Sequence, residues 1–281
     1  MTLEGKWFTE VSKESGLAFS LRVNEKLHEE QTDFQKIEIY ATTDFGNLMV
    51  IDGFIMLTDR DNFLYHEMMS HPVLYTHPAP ERVLIIGGGD CGTLKEVLKH
   101  PEVKQAQQVE IDERVTRLSE QYFPALCESN NDARAELHFV DGLKWVKETE
   151  AGFYDVIIVD STDPVGPAEG LFNEAFYRDC HAALGDNGIL VQQSESPLVH
   201  LKLLTSMRAA MLNAGFSQVN TLGFPQPVYP SGWWSATMAG KTGDLREFRS
   251  ADSKNRPFET LYYSSEMHQA ALIEPPLLTK A

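Results

Sequence analysis

The chain has 281 residues, 42% of them hydrophobic and 10% aromatic, enough to bury a substantial core. Its 41 acidic against 24 basic side chains give a net charge of −17, which argues against a nucleic-acid surface and suits a cationic partner. No apolar run approaches membrane-spanning length, the N-terminus has no apolar signal core, and Cys91, Cys127 and Cys180 form no paired motif. A reduced, cytoplasmic protein is expected.

Residues 1 to about 60 read as β structure. Phe34, Ile37, Ile39 and Tyr40 mark one strand and Leu48–Ile51 another, while Asp52-Gly53 ahead of Phe54-Ile55-Met56 is a two-residue hairpin signal. The expected unit is a small antiparallel sheet that covers one side of a site or pairs with another subunit. A helix follows over Phe63–Met69, with Asp61 near its start. His66-Glu67 invites a zinc reading, but the next histidine, His71, falls five residues on instead of four and Pro72 follows, so no metal site is expected.

From Pro80 strands and helices alternate, the pattern of a doubly wound parallel sheet. Val83–Ile86 is a short, continuously apolar strand that breaks on Gly87-Gly88-Gly89-Asp90-Cys91-Gly92 into a helix marked by Leu94, Val97 and Leu98. Such a turn brings backbone N–H groups to a ligand, and Glu110, about twenty residues on in the next strand, stands where a ribose diol is held. Together these predict a nucleoside pocket. Asp90 is unusual there, because a carboxylate repels a pyrophosphate or a carboxylate tail and attracts an ammonium. Its alternative role is to cap the helix that follows.

The strand Glu136–Val140 ends in Asp141-Gly142, suited to reading an adenine edge or to capping the next helix. Tyr154–Asp160 is a buried strand continuing into Ser161-Thr162-Asp163-Pro164-Val165-Gly166-Pro167. Ligands in such sheets bind at the carboxyl ends of the strands, so Asp90, Glu110, Asp141, Asp160 and Asp163 are expected to converge. Five acids around one crevice are costly unless something cationic fills it. Beyond, a helix is expected over Leu171–Leu184, a strand over Gly188–Gln193, a helix over Leu198–Ala214 and a strand from Phe216 to about Leu222. The proline- and aromatic-rich stretch Phe224–Trp234 reads as a wall or lid, a last strand covers Trp234–Ala239, and a charged, weakly patterned tail ends the chain. The expected domains are 1–60, the β unit, and 61–281, a Rossmann-like unit that includes the linking helix.

Val83–Asp90, Val109–Asp112, Tyr154–Pro167 and Tyr229-Pro230-Ser231-Gly232, with Gly5-Lys6-Trp7-Phe8, Gly46-Asn47, Asp52-Gly53 and Tyr65–Met69, together resemble the polyamine aminopropyltransferase family, of the spermidine synthase type. The resemblance fails only in the tail. It implies a small N-terminal β domain before a methyltransferase-type parallel sheet, assembled as a homodimer or homotetramer. It also implies transfer of an aminopropyl group from decarboxylated S-adenosylmethionine, a co-substrate rather than a cofactor, to putrescine, giving spermidine and 5′-methylthioadenosine. By position, Gln35, Glu110, Asp141, Gly142 and Pro167 would hold the methylthioadenosine part and Asp90 the donor's ammonium. Asp160 matches the proton acceptor, helped by Tyr65 and the Ser161 carbonyl. His66, Thr162, Asp163 and Tyr229 would line the polyamine groove with Tyr65 and Ser161, and Trp7 and Glu195 would lie towards its far end. Three positions depart from the family: Cys91 stands where glycine is common, and Asp59 and Asn62 replace glutamates. The rival readings are an S-adenosylmethionine methyltransferase, a nicotinamide-dependent oxidoreductase using Gly87, Gly89 and Gly92, and a non-catalytic polyamine-binding protein. Asp90 argues against the first two, and the intact pair Asp160 and Tyr65 against the third.

Overall fold

The computed structural model describes residues 4–13, 15–162 and 166–279; Asp163 lies outside them, as does the side chain of Pro167. Five strands, β1 (Trp7–Ser12), β2 (Leu17–Gln31), β3 (Lys36–Thr42), β4 (Asn47–Ile51) and β5 (Phe54–Thr58), form an antiparallel sheet in sequential order. The β4–β5 hairpin turns on Asp52 (φ 50°) and Gly53 (φ 89°), the left-handed pair that a two-residue hairpin demands. β1 and the long, polar β2 have no individual signature in the sequence. Much of β2 is exposed, so it lacks the apolar alternation of a half-buried strand.

Helix α1 (Asn62–Thr76) leads into the second sheet. It runs through Pro72, well beyond the expected Met69, and is buried on nearly every side from Leu64 to Tyr75. Proline removes one i→i−4 bond, and burial from all directions holds the rest of the helix. The second sheet comprises β6 (Arg82–Gly87), β7 (Gln105–Glu110), β8 (Ala135–Phe139), β9 (Tyr154–Asp160), β10 (Leu184–Gln193), β11 (Gln218–Pro225) and β12 (Trp233–Gly240). Its spatial order is β11-β12-β10-β9-β6-β7-β8. The β8-β7-β6-β9-β10 portion is parallel, and β12 and β11 add an antiparallel edge. Helices α2 (Gly92–Leu98), α3 (Glu113–Tyr122), α4 (Gly142–Glu148), α5 (Glu174–Ala183) and α6 (Leu201–Asn213) connect the strands. The helix expected from Leu171 is two pieces, a 3-10 turn at Gly166–Phe172 and then α5, because Asn173 caps Phe176 N and restarts the helix.

Alternation along the buried strands builds a core on both faces. Val83, Ile85, Val156 and Ile158 pack with α1, while Leu84, Ile86, Ile157 and Val159 pack towards α5 and α6. The five-stranded sheet rests one face (Ile37, Ile39, Met49, Ile51) on Val115, Leu118 and Phe123 of α3 and beyond, and places Leu48, Val50 and Ile55 against Val228. It is thereby fixed on both sides of the crevice at the ends of β6, β7 and β9.

The tail is more ordered than its sequence suggests. Leu245, Tyr263, Ala271 and Leu272 join the core, and short helices α7 (Ser250–Lys254), α8 (Ser265–Ala271) and α9 (Pro276–Thr279) complete it. Its anchor is Glu67 on α1, which accepts hydrogen bonds from the backbone N–H groups of Leu261, Tyr262 and Tyr263 at 2.7–2.8 Å. Among the described residues no helix is long and apolar enough to cross a membrane.

Candidate active site

A cleft of about 930 Å³ opens at the carboxyl ends of β6, β7 and β9. Gln35, Asp90, Glu110, Asp141 and Gly142 line one part of it, and Tyr65, Asp160, Ser161, Thr162 and Tyr229 another. Met49, Ile51 and Met56 of the five-stranded sheet supply an apolar wall, a contribution that no local sequence signal marks. Among the described lining residues there is no lysine or arginine.

The chain's close approach at the sheet centre sets the geometry. Gly87 has φ 82°, and a Cβ there would stand 2.2 Å from the Asp160 carbonyl oxygen, so only glycine lets the turn pass. Gly88 N then donates to that oxygen at 2.7 Å, tying the turn to the end of β9. The Asp160 carboxylate is buried and doubly held: Tyr65 Oη donates to Oδ1 and Thr93 Oγ1 to Oδ2, each at 2.6 Å. Thr93 was not legible beforehand, since the contact depends on how α2 sits over β9. Burial pushes the Asp160 carboxyl above its ordinary range, and the Asp90 charge adds to this.

Asp90 takes the capping role at the first turn of α2 and also meets a side chain of α1. Its Oδ1 accepts from Gly92 N at 2.7 Å, and its carboxylate pairs with His66 Nε2 at 3.2–3.3 Å. His66 approaches so closely that a Cβ on Gly92 would lie 2.2 Å from its ring. Burial opposes charge on both partners, yet each stabilises the other, so Asp90 is held below its ordinary range and His66 above. His66 therefore stands behind Asp90 and does not face the main cleft.

Glu110 Oε1 accepts from Asp112 N at 2.9 Å, and burial with few donors pushes its carboxyl up to about 7. Asp112, which caps α3, also receives Thr32 Oγ1 at 2.7 Å and Gln35 Nε2 at 3.1 Å, and so sets Gln35 at the rim. Asp141 caps α4 through Leu143 N at 2.8 Å while still lining the cleft.

A narrower cleft of about 360 Å³ shares Tyr65, Ser161, Thr162 and Tyr229 with the first. Tyr229 donates to the Met56 carbonyl oxygen, joining the aromatic wall to β5. Glu10 and Gln193 line this second cleft; Trp7 and Glu195 line neither. Trp7 Nε1 instead donates to the Glu4 carbonyl, and Glu195 pairs with His200 at 3.0 Å. Glu10 escaped the sequence reading because it sits on β1, a strand without a signature of its own. Of the three residues behind the zinc reading, His66 pairs with Asp90, Glu67 holds the tail and His71 meets His100 at 2.9 Å.

Residues 62–249 match the spermine/spermidine synthase domain, and residues 6–59 the spermidine synthase tetramerisation domain. A polyamine aminopropyltransferase of Methylococcus capsulatus is 66% identical, with 96% of this chain and 94% of that protein aligned. One from Nitrosococcus oceani is 64% identical over 99% of this chain and 98% of its own. Among solved structures, a spermidine synthase in complex with the transition-state analogue AdoDATO superposes with TM-score 0.95 at 33% identity, covering 100% of this chain and 96% of the other. The spermidine synthase of Thermotoga maritima gives 0.93 at 33% identity, with 100% and 95% covered. With both domain models matched in order along nearly its whole length, this chain belongs to the spermine/spermidine synthase family of polyamine aminopropyltransferases.

Proposed function

We propose that the cleft transfers the aminopropyl group of decarboxylated S-adenosylmethionine to putrescine, giving spermidine and 5′-methylthioadenosine. The observation that carries this reading is the carboxylate set Asp90, Glu110 and Asp160 around one cleft without a lysine or arginine among the described lining residues. Glu110 and Asp160 are buried with no cationic side chain among the described residues of the cleft wall, which is costly, and a sulfonium nucleoside with an ammonium tail, followed by a diamine, supplies that charge.

In this assignment Glu110 and Gln35 hold the ribose, Asp141 and Gly142 the adenine edge, and Asp90 the donor's ammonium, with Pro167 beside the nucleoside. The diamine lies along the second cleft past Tyr229, Ser161 and Thr162, Asp163 is assigned to the same substrate, and His66 acts through Asp90. The amine nitrogen attacks the carbon next to sulfur, the C–N bond forms as the C–S bond breaks, and the electron pair leaves on sulfur as a neutral thioether. The sulfonium is already an activated leaving group, so the protein's task is alignment and proton removal.

Freeing a protonated alkylamine near pH 7 costs about 4–5 kcal/mol, given a pKa of about 10.4. A carboxylate cannot equilibrate that proton away beforehand. Asp160 therefore orients the amine and takes its proton as the C–N bond develops. Burial favours the protonated product state, and Tyr65 and Thr93 fix both oxygens.

The same proposal divides the chain at about residue 60, places the reaction in the cytoplasm and makes the protein a homodimer or homotetramer. The match of residues 6–59 to a tetramerisation domain supports assembly through the five-stranded sheet. The deciding experiment is product analysis by mass spectrometry with the decarboxylated donor and a panel of diamines and spermidine. Spermidine from putrescine is expected; nucleoside binding without any aminopropyl product would overturn the enzymatic reading.

A further inference from the structure

The two donors that hold the Asp160 carboxylate come from different helices. Tyr65 on α1 gives its hydroxyl hydrogen to Oδ1, and Thr93, in the first turn of α2, gives its own to Oδ2, each at 2.6 Å. Behind the site the two helices are tied together. Ser70 Oγ on α1 donates to the Thr93 carbonyl oxygen at 3.4 Å, and His71 Nε2 lies 3.1 Å from Glu96 on α2. A threonine within a helix commonly turns its hydroxyl back to a carbonyl of the preceding turn. Thr93 stands at the start of its helix and turns the hydroxyl across the fold to the end of β9 instead. Its side chain is fully buried, and the branched Cβ leaves the oxygen few positions, so the placement of α2 sets this bond.

We infer that Thr93 is a positioning residue that keeps the Asp160 carboxylate ionised and turned to the amine until the proton is transferred. The role rests on the assignment of Asp160 above. Asp160 needs such help because its surroundings oppose its charge. Burial and the Asp90 charge in the glycine turn favour the neutral carboxyl, and Glu110 faces it from β7, whereas His66 and Tyr65 on α1 act the other way. Thr93 is the donor supplied by α2. A hydroxyl that donates to a buried carboxylate stabilises the ionised form, by an amount equivalent to about 1–2 pH units. Without it Oδ2 is buried with no donor, and the carboxyl gains its proton at higher pH. Once neutral, it no longer takes a proton from the amine. The carboxylate is also freer to turn about its Cβ–Cγ bond, held then by Tyr65 through one oxygen only.

The test compares Thr93→Val, which keeps the shape and removes the hydroxyl, with Thr93→Ser, which keeps the hydroxyl. In each, kcat is measured across pH at saturating donor and diamine, so that titration of Glu110 in the unliganded cleft does not enter. Thr93→Val is expected to move the acid limb of kcat up by about 1–2 pH units and to lower kcat at the parent's half-maximal pH by about tenfold. Methylthioadenosine affinity should stay within about twofold of the parent. Thr93→Ser is expected to retain the parent limb. In an Asp160→Asn background Thr93→Val should add less than about a twofold loss, because its effect passes through the carboxylate. A Thr93→Val limb at the parent position, a Thr93→Ser limb displaced as far as that of Thr93→Val, or an undiminished loss in the Asp160→Asn background would each overturn the inference. Should Thr93→Val fail to fold, Thr93→Ala is read against the same outcomes. If the parent protein makes no aminopropyl product, the functional reading has failed instead. Thr93 is then judged by carbon-13 NMR of the Asp160 carboxyl, which Thr93→Val should make titrate higher; an unmoved titration overturns its role.

Discussion

Three carboxylates in one cleft have different surroundings, and the proposed function assigns them different tasks. Asp160 has both oxygens held and is assigned the proton released as the bond forms, so Asp160→Asn is expected to lower kcat by about 10²–10³-fold while methylthioadenosine affinity stays within a factor of about two. Single-turnover kinetics beside calorimetry separates the two quantities, and loss confined to nucleoside binding would contradict the assignment. Asp90 is assigned to the donor's ammonium, which methylthioadenosine lacks. Asp90→Asn should thus weaken the decarboxylated donor by about tenfold or more and methylthioadenosine much less; equal weakening would leave it a helix cap only. Burial, with the Asp112 charge beside it, pushes the Glu110 carboxyl up to about 7. Ribose hydroxyls would donate to its ionised form, so binding lowers its pKa and releases its proton below about pH 7. Affinity for methylthioadenosine is therefore expected to rise with pH through about 7 and then level, being about tenfold weaker near pH 6 than near pH 8. Glu110→Gln should flatten that profile, and a profile unchanged by the substitution would assign the titration elsewhere.

At the scale of elements, legibility followed burial pattern. β6 and β9 are apolar runs bounded by glycine or acid, and both were readable to within a residue, as was the carboxylate at the end of β7. The hairpin at Asp52-Gly53 was readable because its turn needs left-handed residues. α1 was legible only in part, since a helix buried all round has no polar face to give it period, and Pro72 suggested an earlier end. The partners Thr93 and Asp112 were not legible at all: each acts across the fold through a register that only packing defines. The tail was missed for the same reason, as its anchor lies 194–196 residues away on α1. That helix carries Tyr65 towards Asp160, His66 towards Asp90 and Glu67 towards the tail, so tail docking and catalytic alignment share one element. In Glu67→Gln an amide replaces one carboxylate oxygen and faces N–H donors it cannot accept. A loss of about 2–3 kcal/mol is expected, read as a midpoint lower by at least about 5 °C, with earlier proteolysis within residues 250–279. Unchanged melting and cleavage would show that the apolar contacts of Leu245, Tyr263 and Leu272 hold the tail unaided.

Across the whole molecule, charge and cleft act in the same direction. A net charge of −17 surrounds a cleft whose described walls carry acids and no lysine or arginine, and the substrates assigned to it are a sulfonium with an ammonium and a doubly charged diamine. A long-range negative field raises the encounter rate of such cations, and salt screens it, the Debye length falling from about 14 Å at 0.05 M to about 4 Å at 0.5 M. Contacts inside the cleft are shielded from that screening, so chemistry in the bound complex should respond much less. Raising ionic strength over that range is therefore expected to lower kcat/KM for the diamine several-fold while kcat changes by less than about twofold. Methylthioadenosine, which carries no net charge, supplies the control: its affinity should stay nearly flat, because salt that merely distorted the cleft would weaken it too. Parallel losses for the neutral nucleoside and the diamine would mean that the acidic surface contributes to solubility and not to capture. A selective loss for the cations would tie the composition of the entire chain to the reaction at its centre.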